Sequence, residues 1–322
     1  MVDLFHQLNN MDNKILGLHH ITAIANNAQR NHDFYTKVLG LRLVKKTVNF
    51  DDPGTYHFYY GDEQGTPGTI LTFFPWETIG QGYTGSGMAT NIGYSVPDGS
   101  LDFWADRFKQ FNVKHENIDQ RFGEQYLSFS DPDGLKLDLI VPANVDERIG
   151  WQTNDVIKNV ATKGFHSVTL TVKNLTPTAF ILTDILGYTL LKQEGNRYRF
   201  VTDAIANASI VDIIEAPNLP VGRGAAGTNH HVAFRVKDDN ILMEYREKIA
   251  GKGLGITQKI DRDYFFSLYF REPGGILFEL ATDNPGFTKD EALKDLGTSL
   301  KLPKQYEANR KRIEQVLPAI QA

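Results

Sequence analysis

The chain has 322 residues, of which 41% are hydrophobic and 23% charged, and its formal net charge at pH 7 is −5. This composition is typical of a globular protein, and because the sequence has no basic stripe or tail we expect no nucleic-acid partner. It contains no cysteine, which excludes disulfides and thiolate metal sites. It also has no apolar run of membrane-spanning length and no signal-like pattern in the opening MVDLFHQLNNMDNK, so we expect a cytoplasmic location without a membrane partner.

Four stretches of the chain repeat one order of predicted elements. Each opens with a short apolar strand, continues with an amphipathic helix and closes with β-branched and aromatic runs between turn residues. In chain order the opening strands are GLHHITA, TNIGYSV, GFHSVTLTV and NHHVAFRV, and the helices contain NHDFYTKVLGL, SLDFWADRFKQF, LTPTAFILTDILG and DNILMEYREKIAGKG. The repeat predicts an α+β fold made of four βαβββ modules.

The module boundaries predict four parts of the chain. Residues 16–144 hold the first two modules, residues 145–163 form a linker, and residues 164–283 hold the last two modules. Residues 284–322 form a C-terminal helical extension, in which LPKQYEANRKRIEQVL has the spacing of one amphipathic helix.

Two of the opening strands begin with adjacent histidines, in LHHIT and in NHHVA. Aligning these strands puts His20 and His231 at the same position of the first and fourth modules. Because side chains alternate along a strand, His19 and His230 are expected to face away from that side unless the strand start is twisted. The last strand of the fourth module, GGILFELA, contains one charge, Glu279, which would be costly to bury without a partner or a cation.

These side chains predict a metal site. Two imidazoles and one carboxylate on one side of a metal, with the other positions open, are the ligand set of non-heme Fe(II) oxygenases. For His20, His231 and Glu279 to meet, the first module must pair with the fourth. The second module is then expected to pair with the third.

The second and third modules provide an internal comparison. Their equivalent positions hold Asn91, Ser167 and Asp138, which are a poor ligand set for Fe(II). We interpret these residues as a second site that has lost its metal, with Asp138 hydrogen-bonded instead. Other histidines, among them His57 and His115, have no such placement and are expected to be surface or packing residues.

Four such modules in two pairs, each pair a curved sheet around a concave face, resemble the vicinal oxygen chelate superfamily with its glyoxalase/bleomycin resistance/dioxygenase fold. This resemblance covers roughly residues 16–282. A narrower resemblance, to the ring-cleaving hydroquinone dioxygenases, extends over nearly the whole chain. It is carried by LHHIT, GTPGTILTFFP, GFHS, EGNRYRF, HHVAF, DRDYFFSLYFREPGGILFE and PGFTKDEALKDLG.

The narrower resemblance implies a cofactor and a set of site residues. The cofactor would be Fe(II), with Mn(II) as an alternative metal, and the partners would be a small aromatic substrate and O₂, with a homo-oligomer as one option for assembly. The family's ligand positions fall on His20, His231 and Glu279. Its catalytic and supporting positions fall on Arg262, Tyr269, His230, His19 and Thr22.

The resemblance also suggests roles for these positions. Tyr269 would donate a hydrogen bond to the bound substrate oxygen, and Arg262 would supply positive charge there or near the entrance. His230 or His19 would serve as the acid or base for the substrate proton.

The implied function is ring cleavage of a substituted hydroquinone next to a hydroxylated carbon, in aromatic catabolism or quinone detoxification. Three alternatives stay open at this point. An extradiol catechol dioxygenase would need a histidine where Ser167 stands, and a glyoxalase-like isomerase would need a fourth ligand. A non-catalytic aromatic-binding or resistance protein of the same fold would have no need for His20, His231 and Glu279 together.

Overall fold

The structure is a computed structural model, and it describes residues 14–321. Most of the opening stretch in which no signal-like pattern is expected therefore lies outside the described residues. The described chain forms four consecutive βαβββ modules, as the repeat predicts. No helix in residues 14–321 combines the length and the apolar character needed to cross a membrane.

The strands are short, and two of those that carry the site, Leu18–Ala25 and Tyr56–Gly61, are buried along their whole length. Their bounds are β1 Leu18–Ala25, β2 Arg42–Val48, β3 Tyr56–Gly61, β4 Ile70–Pro75, β5 Met88–Ser95, β6 Asp119–Arg121, β7 Glu124–Ser130, β8 Lys136–Ile140, β9 Phe165–Val172, β10 Thr189–Glu194, β11 Arg197–Val201, β12 Ile210–Glu215, β13 Thr228–Val236, β14 Ile260–Asp261, β15 Phe266–Arg271 and β16 Leu277–Thr282.

One α-helix follows the first strand of every module, and a fifth lies near the C-terminus. Their bounds are α1 Ala28–Asp33, α2 Leu101–Gln110, α3 Leu175–Phe180, α4 Asp239–Gly251 and α5 Arg310–Val316. The first and third helices continue as π-helical turns, Phe34–Val38 and Ile181–Ile185. Short 3₁₀ segments are Phe287–Lys289, Leu293–Asp295 and Lys304–Asn309.

The strands form two eight-stranded sheets. The first has the order β14-β15-β16-β13-β1-β4-β3-β2 and joins the first module to the fourth. The second has the order β10-β11-β12-β9-β5-β8-β7-β6 and joins the second module to the third. The predicted pairing of modules is therefore confirmed. The segments 16–144 and 164–283 each contribute strands to both sheets. The division of the chain into these two segments as separate parts stays a prediction.

At the centre of the first sheet, β1 runs antiparallel to β13 and parallel to β4. All eight residues of β1 are buried, although two of them are histidines. A strand that is covered on both faces normally carries an apolar run, because a polar side chain buried there needs a partner. The buried polar residues of β1 therefore mark a candidate functional site in the first sheet.

The C-terminal extension differs from the single amphipathic helix expected from its spacing. A 3₁₀ segment and α5 meet at Asn309, whose φ of −105° and ψ of 9° depart from helical values. The extension is hydrogen-bonded to a loop of the first module, because the hydroxyl of Tyr306 donates to the carbonyl oxygen of Phe50 at 2.6 Å. The hydroxyl of Tyr56 in turn donates to the carbonyl of Pro318 at 3.0 Å.

Candidate metal centre

The first sheet brings together the three side chains that the sequence predicts as metal ligands. His20 lies on β1, His231 on the neighbouring β13 and Glu279 on β16, the next strand. The Nε2 atoms of His20 and His231 lie 3.2 and 2.9 Å from Glu279 Oε2 and 3.3 Å from each other. All three side chains are buried, and in the described part of the chain they form the one group of histidines and carboxylates spaced for a metal ion.

The donor atoms are spaced as a metal would require. Metal–ligand bonds of about 2.1 Å at right angles place neighbouring donor atoms about 3 Å apart. Glu279 is fully buried, yet neither carboxylate oxygen accepts a hydrogen bond from any residue between positions 14 and 321. Such a carboxylate is costly unless a positive charge lies close to it. The residues present therefore fit a cation held between them.

The neighbouring His19 determines which nitrogen of His20 carries the proton. His19 Nε2 lies 3.1 Å from the carbonyl oxygen of Thr282, which can only accept, so His19 Nε2 is protonated. Burial and the adjacent His20 lower the pKa of His19 well below its usual value, so its ring is neutral and its Nδ1 accepts. His20 Nδ1, at 2.9 Å, must then donate. The free lone pair of His20 is on Nε2, the atom that faces the other ligands.

His230 stands in the same relation to His231. Their Nδ1 atoms lie 2.8 Å apart, so His231 can donate to His230 through Nδ1 and keep its Nε2 lone pair directed at Glu279. The ring of His230 also lies 5.7 Å from the ring of Phe74, at an angle of 89°. Each doubled histidine thus consists of one candidate ligand and one residue that orients it.

The strand register explains why these neighbours meet. The pairing of β1 with β13 shifts twice, once at His19 and once at His230, so each is an extra residue in its strand. Such a bulge interrupts the alternation of side chains. The expectation that the pleat turns these two residues away from the ligands is therefore wrong for His230, which lies in the same cavity as His231. The ring of His19 lies outside that cavity but reaches His20.

Burial and the imidazoles act on the pKa of Glu279 in opposite directions. Burial raises it, but the nearby imidazoles of His20 and His231 outweigh burial and hold the pKa well below its usual value. Burial lowers the pKa of His231. Partial desolvation and the adjacent His231 also lower the pKa of His230, although its side chain is exposed to solvent. The carboxylate is therefore ionised, as metal binding requires.

A cavity of about 360 Å³ opens beside the candidate ligands. Its walls are largely aromatic and aliphatic, a lining typical of sites for small aromatic molecules. The apolar part of the lining consists of Phe50, Phe74, Trp76, Phe265 and Leu277.

Tyr269 and Arg262, the two predicted substrate-side residues, both lie in this cavity. The ring of Tyr269 lies 5.6 Å from the ring of His231, and the guanidinium of Arg262 lies 5.2 Å from the ring of Tyr269. Burial raises the pKa of Tyr269 well above its usual value, so its hydroxyl stays protonated. Arg262 Nε is buried and has no hydrogen-bond partner among residues 14–321, which leaves a donor for a bound molecule.

Thr22 is buried and hydrogen-bonded to Thr72, with their Oγ1 atoms 2.8 Å apart. Thr72 in turn lies 2.9 Å from Nε2 of His57, which the sequence alone suggests as a surface or packing residue. His57 in fact lines the cavity, with Tyr59 beside it. The alternation in YHFYYG places both residues on one face of β3, which is the one sequence signal that could have found them.

The second sheet repeats the arrangement without a ligand set. Asp138, the equivalent of Glu279, accepts hydrogen bonds from Asn91 at 3.1 Å and from the hydroxyl of Ser128 at 2.5 Å. Arg121 pairs with its other oxygen at 2.9 Å. A guanidinium therefore neutralises the carboxylate at the place where the first sheet could hold a metal, and Asp138 is hydrogen-bonded as predicted.

Comparison with known proteins agrees with this architecture. A family model, the glyoxalase/bleomycin resistance protein/dioxygenase superfamily, matches residues 17–139 and 164–280. MhqO of Bacillus subtilis, named as a predicted ring-cleaving dioxygenase, is 48% identical over 311 residues, which are 95% of this chain and 97% of that protein. A chlorohydroquinone/hydroquinone 1,2-dioxygenase of Sphingobium indicum is 35% identical over 302 residues, 91% of this chain and 93% of that protein.

A solved structure is similar over almost the full length. The crystal structure of a predicted dioxygenase from Bacillus subtilis matches with a TM-score of 0.92 and 45% sequence identity. The match covers 96% of this chain and 98% of that one.

Proposed function

The chain belongs to the glyoxalase/bleomycin resistance protein/dioxygenase superfamily, and on that premise we propose that it is an Fe(II)-dependent dioxygenase that opens hydroquinone rings next to a hydroxylated carbon. The observation that carries the proposal is the buried group of His20, His231 and Glu279 beside an aromatic-lined cavity. The relative named chlorohydroquinone/hydroquinone 1,2-dioxygenase supports the same substrate class. A role in aromatic catabolism or quinone detoxification belongs to the proposal, and the cytoplasmic location and the oligomeric state stay predictions.

The donor set supports the choice of metal. Two neutral imidazoles and one carboxylate suit Fe(II) or Mn(II) and leave coordination positions for other molecules. When bound by His20, His231 and Glu279, Fe(II) would allow electrons to pass from the aromatic substrate to O₂. The residues around it would bind the ring, exclude water and control protons.

Three side chains would handle the substrate oxygen. Arg262 offers a positive charge and a free Nε donor toward a phenolate, a charge-assisted hydrogen bond worth about 1.5–3 kcal/mol. The hydroxyl of Tyr269 stays protonated because burial raises its pKa, so it can donate to an oxygen that gains negative charge. His230 accepts a hydrogen bond at Nδ1 from His231, so its own proton is on Nε2 and can be donated to the substrate oxygen.

The ring itself would be held by the apolar walls. Phe74 and Trp76 lie with ring centroids 5.2 Å apart, and Phe265 packs 5.0 Å from the ring of His20. A flat aromatic substrate between these side chains displaces water from the site. Electrostatic interactions with Arg262 and Tyr269 then become stronger, because the local dielectric constant falls.

The direct test is O₂ uptake after anaerobic loading with Fe(II). We expect uptake with methylhydroquinone and a ring-opened product that contains both oxygen atoms of O₂. Catechol, tested side by side, separates this proposal from extradiol cleavage. Uptake with catechol alone would contradict the proposed substrate class, and absence of iron after reconstitution would favour a binding protein.

The ligand assignment has its own test. We expect His231→Ala to lose iron retention while the far-ultraviolet circular dichroism is unchanged, because the variant removes one of three donors and leaves the sheet intact. His115→Ala is the matched control, since His115 is only partly buried and pairs with Phe129 of the second sheet, away from the candidate ligands. Stoichiometric iron with full turnover in His231→Ala would refute the assignment.

A further inference from the structure

A chain of hydrogen bonds on the concave face of the first sheet has no role in the mechanism above. Thr22 on β1, Thr72 on β4, and His57 and Tyr59 on β3 follow one another across three neighbouring strands. The Oγ1 atoms of Thr22 and Thr72 lie 2.8 Å apart, Thr72 Oγ1 lies 2.9 Å from His57 Nε2, and His57 Nδ1 lies 2.9 Å from the hydroxyl of Tyr59. All four side chains are buried.

The two ends of this chain have different surroundings. Thr22 is completely buried and is not part of the cavity lining, whereas His57 and Tyr59 both line the cavity. Burial lowers the pKa of His57 well below its usual value, so the ring is neutral and has one donor and one acceptor nitrogen. Burial raises the pKa of Tyr59 well above its usual value, so its hydroxyl keeps its proton.

These surroundings determine the direction of donation. If Tyr59 donated to His57, the protons would point inward and the hydroxyl proton of Thr22 would have no acceptor within the described residues. A buried donor without an acceptor costs about 1–3 kcal/mol. In the opposite direction Thr22 donates to Thr72, Thr72 to His57 Nε2, and His57 Nδ1 to the oxygen of Tyr59. The proton of Tyr59 then points into the cavity, where a bound molecule can accept it.

The position of Tyr59 relative to the candidate ligands is also defined by the sheet. His20 is on β1, and β3 lies two strands away, which is about 10 Å between backbones at the usual strand spacing. His231 and Glu279 lie on the other side of β1. Of the remaining polar residues in the lining, Asp51 is exposed and faces Arg262 at 3.7 Å, and Asn49 is buried and accepts at Oδ1 from the backbone nitrogen of Asp51 at 2.8 Å. On this side of the cavity, two strands from His20 and away from His231 and Glu279, the buried polar groups are therefore Asn49 and the chain that ends at Tyr59.

We infer that Tyr59, oriented by His57, Thr72 and Thr22, donates a hydrogen bond to the second hydroxyl of a 1,4-diol whose first oxygen lies at the His20–His231–Glu279 group. This inference rests on the proposed function and explains how the cavity selects a substrate. A hydroquinone has its two oxygens at opposite ends of the ring and reaches both walls. A catechol has both oxygens at one end, so Tyr59 is left without an acceptor.

Binding without turnover tests the role of Tyr59. The Fe(II)-loaded protein is titrated anaerobically with hydroquinone, phenol and catechol, and binding is followed by tryptophan fluorescence, because Trp76 lines the cavity. Tyr59→Phe removes the donor and keeps the ring. We expect affinity for hydroquinone to fall five- to tenfold, roughly the value of one net hydrogen bond, and affinities for phenol and catechol to change less than twofold.

Tyr94→Phe is the matched control, because Tyr94 is a buried tyrosine of the second sheet whose hydroxyl has no partner in the described chain. It should leave all three affinities unchanged. An equal loss for hydroquinone and phenol in Tyr59→Phe, or no loss for either, would overturn the inference. Absence of O₂ uptake by the unmodified protein with any 1,4-diol would instead overturn the proposed function, so the two failures are distinguishable.

The positioning role of the hydrogen-bond chain has a separate readout. Thr72→Val keeps the shape of the side chain but removes its hydroxyl, whereas Thr72→Ser keeps the hydroxyl. We expect Thr72→Val to lower the preference for hydroquinone over phenol about two- to fivefold, and Thr72→Ser to restore it. A purely structural role would alter both ligands equally and would contradict this part of the inference. The measurement also serves if Tyr59→Phe fails to fold.

Discussion

Asp131 provides a prediction about stability that can be worked through from the structure. This carboxyl group is fully buried in the turn between β7 and β8, and burial raises its pKa to about 7. Its Oδ1 accepts from the backbone nitrogens of Asp133 at 2.9 Å and Leu135 at 2.8 Å, and Tyr35 donates to Oδ2 at 3.1 Å. These hydrogen bonds favour the ionised form but do not outweigh burial.

The sign of the pH dependence follows from the two pKa values. In the unfolded chain an aspartate titrates near pH 4, so between about pH 4 and pH 7 the unfolded state has lost a proton that the folded state still holds. The free energy of unfolding must therefore fall as the pH rises through this window. A difference of about three pKa units corresponds to about 4 kcal/mol when the window has been crossed.

Asp131→Asn removes the titration and keeps a side chain of the same shape. We expect the stability of the variant relative to the unmodified protein to rise by up to about 4 kcal/mol between pH 4.5 and pH 8, measured by urea unfolding at several pH values. The exposed Asp98→Asn serves as the control and should show no such trend. A constant difference across this range, or a trend of opposite sign, would refute the reasoning.

Three further predictions concern the site and its support. Lys45→Met leaves Glu291 buried without its ion-pair partner, so we expect a loss of about 3–5 kcal/mol in urea unfolding, most of which the double variant Lys45→Met/Glu291→Leu should recover. Tyr269→Phe should lower kcat/KM for methylhydroquinone about five- to tenfold with unchanged iron content. A loss of iron instead would show that Tyr269 acts by holding the metal ligands in position. His19→Ala should weaken Fe(II) affinity about 10- to 100-fold in a chelator competition because His20 loses the partner that orients it, and unchanged affinity would contradict the tautomer argument.

The sequence alone determined the local elements and the identity of the candidate ligands. The four repeats are visible because alternation along strands and the spacing of apolar residues in helices are local properties, and the structure contains these modules. The doubled histidines and the lone Glu279 stood out because polar residues in strands buried on both faces are costly. Even the pairing of the first module with the fourth could be deduced, since no other arrangement lets His20 and Glu279 meet.

Two features of the site were decided by the tertiary structure. Alternation predicts that neighbouring side chains face opposite ways, but the register shifts at His19 and His230 depend on how β1 and β13 pair, and residues about 210 positions apart set that pairing. His57 carries no motif of its own. It became part of the site because β3 lies in the same sheet as β1, and because Thr72 on the intervening strand connects it to Thr22. Contacts between distant segments are properties of the assembled sheet, whereas propensity and periodicity describe only the segment in which they occur.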